Sequence, residues 1–233
     1  MSLIDIPLET GGTVSGLLDQ AEDPIAAYVF AHGAGAGMRH RFMQAVAEGL
    51  AARGVSTLRF QFPYMEAGSR RPDRPEVAHA AVRAAVGRAA ALAPGLPLFA
   101  GGKSFGGRMT SQTQAESPLP GVRGLVFLGY PLHPAGKPST ERAQHLDAVH
   151  TPMLFVQGTK DALADLSLLR DVTDRIPRAA LSLVSEADHS FHVPATSGRS
   201  DAEVLEHVCD VMGDWMRGVM MSASSNAPIR PRP

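Results

Sequence analysis

Four short apolar runs punctuate this chain, each closed off by glycine or proline: IAAYVFA (25–31), LPLFAGG (96–102), GLVFLGY (124–130) and PMLFVQG (152–158). A run that is apolar at every position leaves no face for solvent. It fits a strand in a parallel sheet covered on both sides rather than one with a wet face. Between these runs the period changes. Phe42, Val46 and Leu50 recur on one helical face, 76–93 is an alanine-rich helix, and Val204, Val208, Val211 and Trp215 line a last one. Strand and helix alternating in this way give an α/β protein with a mostly parallel sheet and helices on both faces. STLRF (56–60), a weaker ALSLV (180–184) and an opening hairpin of 3–8 and 12–18 turned at Gly11-Gly12 bring the expected strand count to eight.

A length of 233 residues suits one large domain, placed here at residues 1–219, with 220–233 expected as a disordered tail ending NAPIRPRP. There is no internal repeat. The longest connections, a Pro- and Arg-rich loop at 61–75 and the 131–151 segment, are too short for a large lid. A net charge of −1 with scattered arginines gives no electrostatic case for nucleic acid or an anionic membrane as partner. One cysteine excludes an intrachain disulfide, and Cys209, within a helical pattern, reads as a small core filler. The first residues have neither a basic nor an apolar signal region, and no apolar run reaches the ~18 residues of a membrane span, so a cytoplasmic protein is expected.

The second apolar run leads straight into GGKSFGG (101–107) and then RMTSQTQAE, a segment able to form a helix. A flexible linker has no place between a buried strand and a helix in mid-sheet. The pattern G-x-S-x-G, here Gly102-Lys103-Ser104-Phe105-Gly106, instead fits a strained turn that presents a serine at a helix N-terminus, with glycine where side chains would collide.

A serine hydroxyl becomes a nucleophile only when a histidine takes its proton, and the histidine needs a carboxylate to hold its tautomer. PMLFVQG is followed by TKDALAD, which puts Asp161 just past a strand end. ALSLV is followed by SEADHSF, which puts His189 in the next such loop. Asp165 is the rival acid, a helical turn further on, and His192 the rival base. Among nine histidines none has zinc-helix spacing, so no metal site is expected, and no cofactor. The negative charge of an attacked carbonyl would fall on backbone N–H groups. Phe105, after the serine, supplies one. Ala34 in HGAGAG, after the 25–31 strand, is the candidate for the other, with Gly33 second. These glycines match neither G-x-x-x-x-G-K-[ST] nor G-x-G-x-x-G, so nucleotide binding ranks low. Gly33, Tyr64 and His133, on or beside the flanking loops, are candidate substrate contacts.

With HGAGAG, GGKSFGG, QGTKDALAD and EADHSF in that order, the chain resembles the α/β-hydrolase superfamily over roughly residues 12–217. It looks most like the small, lidless, dienelactone-hydrolase-like members. Among them it is similar to a bacterial group related to the hydrolase-like domain of a chromatin NSL-complex subunit and to its testis-expressed relative. GYPLHPAGKP and RFQFPY add to that match. The resemblance implies Ser104 as nucleophile, Asp161 as acid and His189 as base, acting on a small-molecule ester. Dienelactone hydrolases proper use a cysteine nucleophile, so their substrate does not follow. A catalytically silent interaction module on the same scaffold is the alternative.

Overall fold

Gly11 and Gly12, at φ of 92° and 81°, turn the first strand back on the second, a conformation glycine adopts without penalty. β1 (Ser2–Pro7) and β2 (Thr13–Asp19) pair antiparallel with Ile6 opposite Val14, both buried. The computed structural model describes residues 1–225. Six further strands follow: β3 (Ala26–Ala31), β4 (Val55–Phe60), β5 (Leu98–Lys103), β6 (Val122–Leu128), β7 (Met153–Gly158) and β8 (Ala179–Val184). They form one eight-stranded sheet in the order β1-β2-β4-β3-β5-β6-β7-β8. From β4 through β8 every pairing is parallel; β2 meets β4 antiparallel.

The helices divide between the faces. α1 (Arg41–Ala51) and α6 (Asp201–Ser225) bury Met43, Val46, Leu50, Val208 and Met212 against Phe30, Phe99 and Val126. α3 (Pro75–Leu92), α4 (Phe105–Glu116) and α5 (Leu166–Asp174) cover the other face, against Val29, Ala100, Phe127 and Phe155. Neighbouring strand residues such as Phe99 and Ala100 go to opposite layers, which is why these runs needed to be apolar throughout.

Three details depart from expectation. The 61–75 segment holds a short helix, α2 (Pro63–Glu66), started by a proline whose fixed φ suits the first helical position. On α6 the fully buried stripe is Val204, Val208, Met212 and Met216 with Cys209; Val211 and Trp215 are half-buried at its edge. That helix also runs to Ser225, past the expected boundary at 219, through residues that form helix readily. The remainder of the expected tail, 226–233, lies outside the described residues.

The direction in which strands are added to the sheet reverses between β3 and β5. The chain leaves β3 for β4 on one side, then crosses to β5 on the other. A crevice opens at the carboxyl ends of two such strands, the usual place for a ligand in an open α/β sheet. HGAGAG follows β3 and Ser104 follows β5 at this point.

Candidate active site

Ser104 joins β5 to α4 at φ 50° and ψ −115°, a region costing a non-glycine residue about 1–3 kcal/mol. Its N–H donates to the Leu128 carbonyl at 3.0 Å, and its own carbonyl accepts from Arg108 N–H at 3.1 Å. The flanking glycines are required by neighbours on β3 as well as by the turn itself. A Cβ on Gly102 would lie 2.5 Å from the Ala31 carbonyl oxygen and 2.7 Å from Gly106 C; one on Gly106 would lie 2.7 Å from the His32 oxygen. The turn is wedged against β3, and that contact holds the strain.

His189 lies in the loop after β8 and Asp161 in the loop after β7. His189 Nε2 is 2.9 Å from Ser104 Oγ, and His189 Nδ1 is 2.7 Å from Asp161 Oδ2. Nδ1–H therefore donates to the carboxylate, leaving Nε2 free to accept the serine proton. The Asp161 carboxylate is fully buried and satisfied twice more: Oδ2 accepts from Gln157 Nε2 at 2.6 Å and Oδ1 from Leu163 N–H at 2.8 Å. Gln157 also accepts the Tyr130 N–H at 2.8 Å, tying the acid loop to β6. Of the rivals, Asp165 caps α5 by accepting from the Ser167 and Leu168 N–H groups, and exposed His192 pairs with Asp201.

The loop after β3 faces Ser104. A Cβ on Gly33 would sit 3.7 Å from the Lys103 carbonyl oxygen and 3.8 Å from Ser104 Cβ. His32 is fully buried, and both its ring nitrogens are used: Nδ1–H donates to the Gly33 carbonyl at 2.8 Å, and Nε2 accepts Phe62 N–H at 3.1 Å. Burial pushes its pKa down to about 4, so this tautomer stays neutral. Gly35 N–H donates to Tyr64 Oη at 3.1 Å and Met38 N–H to Gln61 Oε1 at 2.9 Å. Among the described residues the Ala34 N–H makes no hydrogen bond. Phe105 N–H, at the first position of α4, has no acceptor within its helix.

Tyr64 and His133 have different surroundings from the loop contacts expected. Tyr64 is buried against Phe62 and Phe105, its oxygen supporting the 33–35 loop. His133 is buried with Nδ1–H on the Pro134 carbonyl at 2.8 Å and Nε2 accepting Asp165 N–H at 2.7 Å, which pins the acid loop. His133 thus uses both ring nitrogens on backbone groups, and Tyr64 Oη accepts one backbone N–H.

Sequence reasoning passed over Lys103, the variable residue of the glycine motif. Its ammonium is buried beside the stacked Phe42 and Phe191 rings, 5.9 and 5.6 Å from their centroids. It donates to the His189 carbonyl at 2.6 Å and lies 3.4 Å from His189 Nε2. Burial lowers its pKa to about 8, against the opposing pull of Asp161 and Asp188. A polar residue closing an otherwise apolar strand was the available signal. Gln157 gave the same one at the end of β7.

A family model described as an alpha/beta hydrolase domain matches residues 24–217. Among solved structures, Est1E from Butyrivibrio proteoclasticus with ferulic acid bound is 17% identical, with a TM-score of 0.75 over 94% of this chain and 99% of that one. A dienelactone hydrolase from Anabaena variabilis is 18% identical, with a TM-score of 0.73 over 93% and 96%. A serine hydrolase described as without a lid, from Xanthomonas campestris, is 18% identical, with a TM-score of 0.66 over 99% and 96%. At such identities the likeness is one of fold.

Proposed function

The chain belongs to the α/β-hydrolase domain family, and on that premise we propose that it is a serine hydrolase cleaving a small carboxylic ester, thioester or amide through an acyl-enzyme. The observation that carries this reading is the relay Ser104 Oγ–His189 Nε2–Asp161, at 2.9 and 2.7 Å, on a serine already held at strained dihedrals. His189 takes the Ser104 proton as Oγ attacks the carbonyl carbon, and Asp161 stabilises the imidazolium that forms. The Ala34 and Phe105 N–H groups receive the oxyanion. His189 then gives its proton to the leaving group as the bond from the carbonyl carbon to that group breaks; it next takes a proton from water, whose hydroxide attacks the acyl carbon, and returns that proton to Ser104 Oγ as the acyl–Oγ bond breaks.

Within the family we assign the chain to the dienelactone-hydrolase-like branch, beside the hydrolase-like domain of the NSL-complex subunit and its testis-expressed relative, on the motifs quoted above. Serine in place of cysteine separates it from dienelactone hydrolases proper. The substrate in this reading is a small soluble molecule met in the cytoplasm, with no nucleic acid or membrane involved. Fluorophosphonate labelling tests it: wild type should label and Ser104→Ala should not. Absent or equal labelling would return the chain to the silent-module reading.

A further inference from the structure

The mechanism just described leaves a group of charges beside the nucleophile unused. Arg108 stands one turn along α4 from Ser104, its N–H on the serine carbonyl at 3.1 Å. Four residues of helix advance about 6 Å, and helical side chains lean toward the N-terminus, so Arg108 leans toward the Ser104 end. A second arginine comes from the connection after β6. Ser111, one turn further along α4, meets His145 of the 3₁₀ segment Glu141–Ala148, with Oγ and Nε2 2.8 Å apart. Arg142 precedes His145 by the same three-residue step that separates Arg108 from Ser111. Tyr130 ties this pair to the triad. Its hydroxyl donates to the Arg142 carbonyl at 2.8 Å, while a Cβ on adjacent Gly129 would lie 3.4 Å from His189 Nδ1.

Both arginines are half-buried, and among the described residues neither guanidinium has a hydrogen-bond or ion-pair partner. Among other arginines here, half-buried Arg53 pairs with Glu206 and Asp210, half-buried Arg83 with Glu116 and fully buried Arg59 with Asp19, while half-buried Arg88 on α3 has, among the described residues, no ion-pair partner but also no second arginine acting on it. Around Arg108 the groups that act are burial, the repelling charge of Arg142, and Tyr130; no carboxylate is among them. His145 feels burial, Arg108 and His79, again with no acid. Two like charges held together at the cost of desolvation are a preorganised seat for an anion, and guanidinium matches carboxylate and phosphate oxygens two at a time.

We propose that Arg108, with Arg142, binds an oxyanion carried by the substrate, a carboxylate or phosphate several bonds from the carbonyl that Ser104 attacks. This rests on the hydrolase reading and narrows its substrate class to anionic esters.

Three matched p-nitrophenyl esters test it: the valerate, the monoester of glutaric acid, and the 4-phosphonobutyrate, which differ only in the terminal group. Ser104→Ala serves as the blank for intramolecular hydrolysis. Wild type should favour an anionic ester over the valerate by about tenfold or more in kcat/KM, the worth of one charge-assisted contact. The ratio should fall toward one in Arg108→Gln, fall partway in Arg142→Gln, return partly in Arg108→Lys, and shrink in about 0.5 M salt. Taking the ratio within each variant cancels any general loss of activity. The better of glutarate and phosphonate names the anion. A wild-type ratio of one or less, or a ratio unmoved by Arg108→Gln, overturns the proposal. If no ester is turned over and fluorophosphonate does not label, the hydrolase reading fails instead. The anion site is then judged by calorimetry with monomethyl glutarate and inorganic phosphate: binding to wild type that Arg108→Gln abolishes supports it, and binding to neither, or equally to both, removes it.

Discussion

Lys103→Met removes a buried ammonium that no carboxylate touches. In the folded protein burial brings the lysine down from 10.5 to about 8; unfolded, it returns to its ordinary value. Below pH 8 both states hold the proton, and the wild type carries the full penalty of a desolvated charge. Between pH 8 and 10.5 the unfolded state binds more protons than the folded one, so wild-type stability rises with pH. At 1.36 kcal/mol per unit, a depression of this size amounts to about 3 kcal/mol over the window. The methionine variant, with nothing to titrate at this position, cannot follow the trend. Urea titrations of both proteins at intervals from pH 7 to 10.5, read by the single Trp215 packed against Phe99, give the difference directly. Buried Tyr28, Tyr130 and Cys209, each with its pKa raised by burial, also affect absolute stability at alkaline pH, but they are common to both chains and cancel. The wild type should gain about 3 kcal/mol on the variant across the range. Parallel curves, within about 0.5 kcal/mol, would refute the claim that desolvation of this ammonium outweighs the hydrogen bond and charges that support it.

Four other substitutions have clear expectations. Gly106→Ala drives a Cβ into the carbonyls at the end of β3 and should cost about 3 kcal/mol or more in denaturant unfolding, as overpacking against rigid backbone does. Gly87→Ala, mid-α3 with nothing within 4 Å of the added carbon, should instead stabilise by about 0.5–1 kcal/mol. Asp161→Asn keeps the shape but offers an amide to His189 Nδ1, favouring the wrong tautomer; ester turnover should fall by about 10³–10⁴ in kcat. Tyr64→Phe removes the acceptor for Gly35 N–H and should lower kcat more than it raises KM, with about 1 kcal/mol of stability lost. A variant that changed only KM would mean Tyr64 contacts substrate and does not brace the loop.

What could be read from the residues, and what could not, follows from how far each physical cause reaches along the chain. The strands were legible because burial on both faces writes an unbroken apolar run, and the serine turn because its collisions involve residues two positions away. Gly102 and Gly106 also avoid β3, a contact no local pattern contains. Asp161 and His189 were chosen as candidates through loop order. The choice of Asp161 over Asp165 has a local reason: Asp165 spends both its carboxylate capacity and its N–H on α5 and His133. Partners distant in sequence were the ones that could not be read. Tyr64 and His133 sit beside the site but face backbone groups, and an isolated polar residue gives no sign of which way it points. Lys103 and Arg108 pose the opposite problem, since both lie in or beside the motif already recognised and were absorbed by it. Their significance comes from what is missing around them, an acid within reach, and an absence of charge partners exists only in three dimensions. Motif reading therefore nominates the candidate reacting groups of such a site, while the charges that would select a substrate become visible only once every competing carboxylate has been placed elsewhere.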